Sequence, residues 1–402
     1  TNTENIGIGY RSGYALTGTK NTMIGYKSGM NGTSHDENVI IGYEACGLGV
    51  LTGNENVVIG MEAGKDMTSA TASVFIGDGA GTNVTTGARN IGIGKNTLED
   101  PDTENDNLAI GYNALSGTIA GGEDNIAIGN GALASLTSAD GTIGGGSIFI
   151  GKFAGHDITT GHSNIMIGEF AGDGFDAETH NVAIGRGAFG GAVNGGEFNV
   201  CMGNSALMVL TSGDSCTSIG DESGKANTTG YNNTFIGQRA GAGVTTGFAN
   251  TLIGANAAHG NTTNLVTGDQ NTLVGRNIQT TGTDSNQANG LGYFLTCEGG
   301  YTTLGEGGND IRAAHGNTSW ATVSDERFKK NIETSDAGLA VINDLRPVTY
   351  NWKTKGEVPE WSRSYEAGSD EQYRNSKLNH GFIAQEVKAV IDSHSELKDG
   401  FS

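Results

Sequence analysis

The chain has 402 residues, of which 68 are glycine and only three are proline, and its formal charge is −21. Abundant glycine with so little proline excludes collagen and disordered linkers, and it indicates tight turns between paired strands. The acidic charge argues against binding to nucleic acid or to anionic membrane surfaces. The sequence contains no apolar segment long enough to insert into a membrane, and no motif for a cofactor or a metal ion.

Residues 5–278 repeat a unit of about seventeen residues that reads N-x-x-I-G-x-x-[AS]-G. Its first glycine recurs sixteen times, from Gly9 to Gly275, with spacings of 16 to 18 residues and two longer steps of 22 and 21. An aliphatic residue at a fixed place in every unit predicts a ladder along the interior of a stacked structure. The sequence therefore predicts a mostly β fold, a β-solenoid or β-roll of about sixteen turns over residues 1–278.

The polar positions of the repeat have their own physical reasons. Asparagine opens thirteen of the sixteen units, and Ser73, Ser147 and Cys216 open the other three. Stacked asparagines can hydrogen-bond from turn to turn, as they do in cross-β ladders. The repeat glycine permits a corner with a positive φ angle.

Each predicted strand carries apolar residues at consecutive positions, and alternate side chains of a strand face opposite ways. We predict that the outer two fill the solenoid and that the middle one points outward. A row of outward apolar residues marks an interface, so we expect a homotrimeric bundle. The alternative is a bend that makes both faces internal. The middle residues are Met23, Ile40, Val58, Phe75, Met166, Phe235 and Leu252.

Aromatic and sulfur-containing residues offer few further sites. Tyr10, Tyr26 and Tyr43 follow the repeat glycine in three successive units. They could form an aromatic strip that binds a glycan of a host surface, or a stack that only stabilises the sheet.

The four cysteines form no CxxC pair, and we expect reduced, buried thiols. These cysteines are Cys46, Cys201, Cys216 and Cys297.

The repeat ends near residue 278, and residues 279–323 are expected to form an irregular, β-rich stem or linker. At residue 324 the composition changes, which indicates a small α+β domain over 324–402. A helix is predicted to begin near Ser335 and to stop before Pro347, and alternation over 348–352 predicts a strand. HGFIAQEVKAVI at 380–391 is typical of a short strand or turn that enters a helix.

Three strings in this region, SDERFKKNI at 324–332, LRPVTYNW at 345–352 and HGFIAQEV at 380–387, resemble the intramolecular chaperone domain of endosialidase-type phage tail spikes and fibres. The solenoid is similar to the β-roll of trimeric bacterial adhesin heads. The chaperone resemblance implies a domain that trimerises, helps the preceding fibre to fold and then cuts itself free. Members of that family usually continue into a long helix beyond the position of Val387, so we expect a truncated domain here.

The same resemblance implies that Ser324 and Lys329 are catalytic and that the cleaved bond is Ser324–Asp325. A serine hydroxyl is a weak nucleophile that needs a neighbouring base, and a lysine can serve once burial lowers its pKa. The only enzymatic activity expected is therefore autoproteolysis by a Ser–Lys dyad. No activity on an external substrate is expected.

These features predict a virion protein, a tail fibre or tail spike at the particle surface, with a structural shaft that binds a glycan or protein receptor. Two alternatives remain open. One is a trimeric adhesin of a bacterial surface, and the other is a tail spike that degrades polysaccharide.

Overall fold

The computed structural model describes residues 4–100, 103–117, 122–135, 146–191, 194–259, 263–316, 321–322, 338–360, 365–374 and 376–394. The chain divides into two compact units, residues 1–323 and residues 324–402.

The first unit is a β-solenoid, as predicted, whose first sixteen strands have three residues each. They are β1 (Ile6–Ile8), β2 (Thr22–Ile24), β3 (Val39–Ile41), β4 (Val57–Ile59), β5 (Val74–Ile76), β6 (Ile91–Ile93), β7 (Leu108–Ile110), β8 (Ile126–Ile128), β9 (Ile148–Ile150), β10 (Ile165–Ile167), β11 (Val182–Ile184), β12 (Val200–Met202), β13 (Thr217–Ile219), β14 (Thr234–Ile236), β15 (Thr251–Ile253) and β16 (Thr272–Val274). Each strand pairs in parallel with the next, so that equivalent positions of the repeat stack directly on one another.

The orientation predicted for these strands was wrong. The middle residues Met23, Ile40, Val58, Phe75, Met166, Phe235 and Leu252 are buried in the interior, whereas their neighbours on the strands are partly exposed. The residue before each strand, which is asparagine in thirteen turns, fixes this orientation because its side chain is also buried: Asn38, two residues before Ile40, is fully buried. Alternation then places every second residue inside and turns the repeat isoleucine outward.

The buried asparagines hold successive turns together through the backbone. The Oδ1 atom of Asn38 accepts the backbone N–H of Asn56 at 2.8 Å, and the Nδ2 atom of Asn56 donates to the carbonyl of Ala70 at 2.8 Å. The same pattern recurs along the solenoid, for example between Asn164 and Asn181 at 2.9 Å. Side-chain contacts between amides, which the sequence predicted, occur at some of the turns. Each amide thus satisfies main-chain groups that would otherwise be buried without partners.

The repeat glycine is required by conformation and by space. Its φ angle lies between +122° and +149° in all sixteen turns, a region that residues with a side chain rarely adopt. A Cβ atom on Gly60 would lie 2.1 Å from the carbonyl oxygen of Gly77 in the next turn. The corner therefore cannot accept any other residue without moving the backbone.

The solenoid continues beyond residue 278, where the sequence predicted an irregular stem. Its last strands are β17 (Gln279–Thr280), β18 (Asn289–Tyr293), β19 (Thr296–Cys297), β20 (Tyr301–Glu306), β21 (Asn309–Ala314) and β22 (Ala321–Thr322). β18 pairs in parallel with β16, and β20 with β18, before β21 and β22 close the sheet in antiparallel order. The aliphatic–glycine pair survives as Leu291-Gly292 and Leu304-Gly305, whereas the asparagine is lost. Because the asparagine is missing, the repeat pattern in the sequence does not reveal these extra turns.

The second unit is small and mixed, as predicted. It contains α1 (Gly338–Asp344), β23 (Val348–Tyr350), β24 (Asn379–Gly381) and α2 (Ala384–Ser393). β23 and β24 pair in antiparallel register, with Val348 opposite Gly381 and Tyr350 opposite Asn379.

Candidate functional site

Two of the three motifs found in the C-terminal sequence are neighbours in the second unit. LRPVTYNW contributes β23, and HGFIAQEV contributes the end of β24 and the start of α2. The guanidinium of Arg346 donates two hydrogen bonds to the carboxylate of Glu386, with Nε 3.0 Å from Oε2. This bond holds the pKa of Glu386 below its usual range. The pair joins the two motifs but lies at the surface, where an ion pair adds little stability.

An aromatic cluster packs beside the paired strands β23 and β24. The ring of Trp352 meets Tyr350 edge-on at 5.3 Å and Tyr373 at 5.8 Å between centroids, and the Arg374 guanidinium lies 4.7 Å from the Trp352 centroid. Lys355 also binds Glu371, with 2.7 Å between Nζ and Oε2. The polar stretch that follows β23 is thereby fastened to the strand.

Several apolar side chains of this unit face solvent. Ile342 is 63% exposed, Leu378 60% and Phe382 53%, and none of the residues of α2 is buried. A unit that leaves such side chains uncovered has an incomplete apolar core in the single chain.

The predicted dyad, Ser324 with Lys329, and the predicted cleavage position at Ser324 and Asp325 lie outside the described residues. Their catalytic role stays a prediction.

The tyrosine strip is a face-to-face stack. The ring centroids of Tyr10 and Tyr26 are 5.4 Å apart and those of Tyr26 and Tyr43 are 5.1 Å apart, with interplanar angles of 17° and 11°. The Arg11 guanidinium lies 5.4 Å from the Tyr10 centroid, and Lys27 Nζ lies 5.1 Å from that of Tyr26. The rings thus stack mainly on one another, which is the arrangement of a ladder that stabilises its sheet.

The outward side of the sixteen strands is a continuous apolar face, which we call the strand face. It consists of the first and third residue of each strand. The third residue is isoleucine in fourteen strands, and the first is aliphatic in eleven and threonine in five. No charged residue occupies either position in the sixteen strands. At about 4.8 Å per strand, the strand face is about 75 Å long.

The four cysteines are free and buried, as expected. Burial raises the pKa of Cys46 to about 12 and that of Cys216 to about 11, so neither thiol ionises readily. Among the described residues no group of three or more candidate ligands could hold a metal ion.

A cleft on another side of the solenoid was missed by the sequence analysis. It has a volume of about 340 Å³ and is lined by Phe153, His156, Asp157, Phe170 and Asp173. The signal in the sequence is phenylalanine at the second position after the repeat glycine in two successive units, with glycine there in the units on either side.

Residues 324–395, less than a fifth of the chain, match the protein-family model for the chaperone of endosialidase. The C-terminal unit is therefore an endosialidase-type chaperone domain. With the β-solenoid before it, the chain has the architecture of a tail spike or tail fibre with a C-terminal chaperone. No curated protein and no solved structure matches the chain. In the described parts of the chain, no helix is both long and apolar enough to cross a membrane.

Proposed function

We propose that the chain is a phage tail fibre or tail spike at the virion surface, in which three copies of the solenoid form a receptor-binding shaft. The C-terminal domain assists assembly and then cuts itself off beside Ser324. The observation that carries this proposal is the match of residues 324–395 to the endosialidase chaperone, directly behind a long parallel solenoid.

The strand face supports the homotrimer. An uncharged, mostly aliphatic strip about 75 Å long is unusual on a soluble monomer, and contiguous patches of this kind mark interfaces. Three identical strips facing a common axis bury one another along their whole length. Every copy presents the same residue at the same height, so stacked layers of isoleucine form the shared core.

The uncovered side chains of the C-terminal unit support the same assembly. Ile342, Leu378 and Phe382 need a covering surface, and further copies of this domain would supply it. A trimer of this domain would also set the register in which the three shafts pair. Sixteen similar turns can pair out of register by one whole turn with little loss of contact, and chains joined at one end align correctly.

The proposed cleavage is an acyl transfer within the protein. Lys329, as a neutral amine, takes the proton of the Ser324 hydroxyl. The hydroxyl oxygen attacks the carbonyl carbon of the Ser324–Asp325 bond in a neighbouring copy of the proposed trimer, because attack on its own carbonyl would close a four-membered ring. The C–N bond breaks, the departing amine receives that proton, and water hydrolyses the resulting ester. The products are a shaft ending at Ser324 and a released domain of residues 325–402.

Intact mass spectrometry of the full-length chain and of its Ser324→Ala and Lys329→Ala variants tests this function. We expect the native chain to lose residues 325–402 and both variants to keep them. Ser335→Ala is the matched control and should be cleaved like the native chain. A Ser324→Ala product as short as the native one would falsify the assignment of the nucleophile.

A further inference from the structure

The cleft lined by Phe153, Phe170, His156, Asp157 and Asp173 is a built feature of two successive turns, those that follow β9 and β10. It lies on the segment after the repeat glycine, so the strand face can pack against other copies without using these residues. Its volume of about 340 Å³ is at the small end of the usual range for ligand cavities, about 300–1,000 Å³.

The apolar part of the cleft consists of two phenylalanine rings that are not stacked on each other. Phe153 and Phe170 lie 5.6 Å apart between centroids with an interplanar angle of 31°. In the turn before them, Gly131 has the equivalent position, and a Cβ atom there would lie 2.6 Å from the Phe153 ring. In the turn after them, Gly187 has the equivalent position, and a Cβ atom there would lie 4.0 Å from Ser205 Oγ. No third side chain extends this pair into a closed ladder, unlike the tyrosine strip.

The polar part of the cleft is a rim of carboxylates and an imidazole. His156 Nδ1 lies 2.6 Å from Asp157 Oδ1, and the His156 ring meets Phe153 edge-on at 5.1 Å. Asp173 is half-buried on the neighbouring turn. Burial, and then the charge of Asp157, raise the pKa of Asp173. A carboxylate that is partly buried beside another negative charge is stabilised by a ligand that donates hydrogen bonds to it.

The charges around the rings select against ionic ligands. An acidic sugar or a phosphate would meet the carboxylates of Asp157 and Asp173. An organic cation would meet Lys152, whose Nζ atom lies 5.2 Å from the Phe153 centroid and 5.7 Å from that of Phe170. A neutral polyhydroxyl ligand donates to the carboxylates and accepts from the ammonium, and the C–H face of a sugar ring packs on phenylalanine.

We infer that this cleft is a binding subsite for a neutral saccharide, with Phe153 and Phe170 under the sugar ring and Asp157 and Asp173 accepting its hydroxyl protons. The inference rests on the receptor-binding role proposed above and names the chemical class of receptor.

Saturation-transfer NMR with the full-length chain tests it, using chitobiose, maltotriose and lactose as neutral probes, 3′-sialyllactose and digalacturonate as acidic probes, and choline as the cation. We expect transfer to at least one neutral probe and none to the acidic probes or to choline. The signal should fall at least tenfold in Phe170→Ala and in the isosteric Asp173→Asn. Phe198→Ala, which removes an exposed phenylalanine outside the cleft, is the matched control and should leave it unchanged.

Binding that survives both cleft variants, preference for an acidic probe or for choline, or no binding of any neutral probe would each overturn the inference. Light scattering and intact mass of the same samples report separately on the proposed function. A chain that assembles and is cleaved as proposed but binds no neutral probe contradicts the subsite alone.

Discussion

Phe149 and Gly155 share one space inside the solenoid: a Cβ atom on Gly155 would lie 2.3 Å from the Phe149 ring. Gly155 is the fourth residue after the repeat glycine, and the same exchange of volume recurs along the chain. Where the middle strand residue is phenylalanine, methionine or valine, this fourth position is glycine, as in Phe235 with Gly241. Where the middle residue is alanine, the fourth position is large, as in Ala183 with Phe189, and both of these residues are fully buried. These turns thus fill their interior either from the strand or from the segment that follows the repeat glycine.

This exchange predicts strong coupling between the two positions. Phe149→Ala should lower the free energy of unfolding by about 3–5 kcal/mol, and Gly155→Phe by about 1–3 kcal/mol because of overpacking. The double variant reproduces the native pair of Ala183 and Phe189, whose φ of +50° is close to the +57° of Gly155. It should therefore recover at least about 2 kcal/mol relative to the sum of the single variants.

Denaturant unfolding of the four full-length proteins measures the coupling. Phe149→Ala combined with Gly241→Phe, in a distant turn, is the control and should be additive. Additive effects within the Phe149 and Gly155 pair would contradict a shared space.

The sequence allowed the sixteen repeat turns, their parallel stacking and the small mixed C-terminal domain to be predicted, because each depends on a repeated or local pattern. The facing of the strands could not be predicted from apolarity alone, since Val57, Val58 and Ile59 are all aliphatic. Only the burial of the preceding asparagine decides which of them lies inside. The cleft was missed because Phe153 and Phe170 are seventeen residues apart in the sequence. Their rings become neighbours only when successive turns stack.

His35 predicts a pH dependence near the N-terminal end of the solenoid. It is fully buried, with Nδ1 2.9 Å from Asn21 Oδ1 and no hydrogen-bond partner for Nε2 among the described residues. Burial lowers its pKa to about 4 from an ordinary value near 6.5, so the unfolded chain binds the proton more tightly. The stability that neutral His35 contributes is complete above pH 6.5 and is lost as pH falls towards 4. The loss amounts to about 3 kcal/mol.

Hydrogen exchange of the backbone amides of Asn21 and Asn38, followed between pH 8 and pH 4, measures this loss locally. Intrinsic exchange rates at each pH provide the correction. His35→Gly is the matched control, since Gly18 and Gly53 occupy the equivalent position in the adjoining turns. That variant should lose the pH dependence of protection. An equal dependence in both proteins would assign the effect to another group.

Cys216 interrupts the asparagine ladder, and restoring the amide should stabilise the shaft. The backbone N–H of Cys216 donates to Asn199 Oδ1 at 2.8 Å. Its thiol lies 3.3 Å from the Gly230 carbonyl oxygen, where other turns place the Nδ2 donor of the ladder asparagine and where Asn227 Nδ2 donates at 2.9 Å. Cys216→Asn should supply a stronger donor to Gly230 and a carbonyl acceptor for the N–H of Asn233. We expect a gain of about 1 kcal/mol in the free energy of unfolding.

Thermal or denaturant unfolding checks this gain. Cys216→Ala, which removes the donor and supplies no acceptor, should change stability in the opposite direction. A Cys216→Asn protein no more stable than the native chain would mean that the thiol already satisfies this turn.

The strand face predicts where neighbouring copies touch. Ile93 and Ile110 occupy its outward row in adjacent turns, and around a three-fold axis the same residue of each copy approaches its equivalents. Cysteine at Ile93 or Ile110 should therefore form disulfide-linked pairs under mild oxidation. The native cysteines will not interfere, because all four are buried.

Non-reducing electrophoresis of Ile93→Cys and Ile110→Cys, each with Ser324→Ala to keep one chain length, reports the contact. Tyr112→Cys, half-exposed and two residues beyond Ile110, is the control and should remain unlinked because it lies off the strand face. Light scattering should give about 124 kDa for the assembly, three times the 41.3-kDa chain. A mass of one chain would remove the bundle. Equivalent cysteines that face a three-fold axis in register lie close enough to form a disulfide. An assembly with the mass of three chains but no linkage at either position would therefore place the contact between copies on a different side of the solenoid.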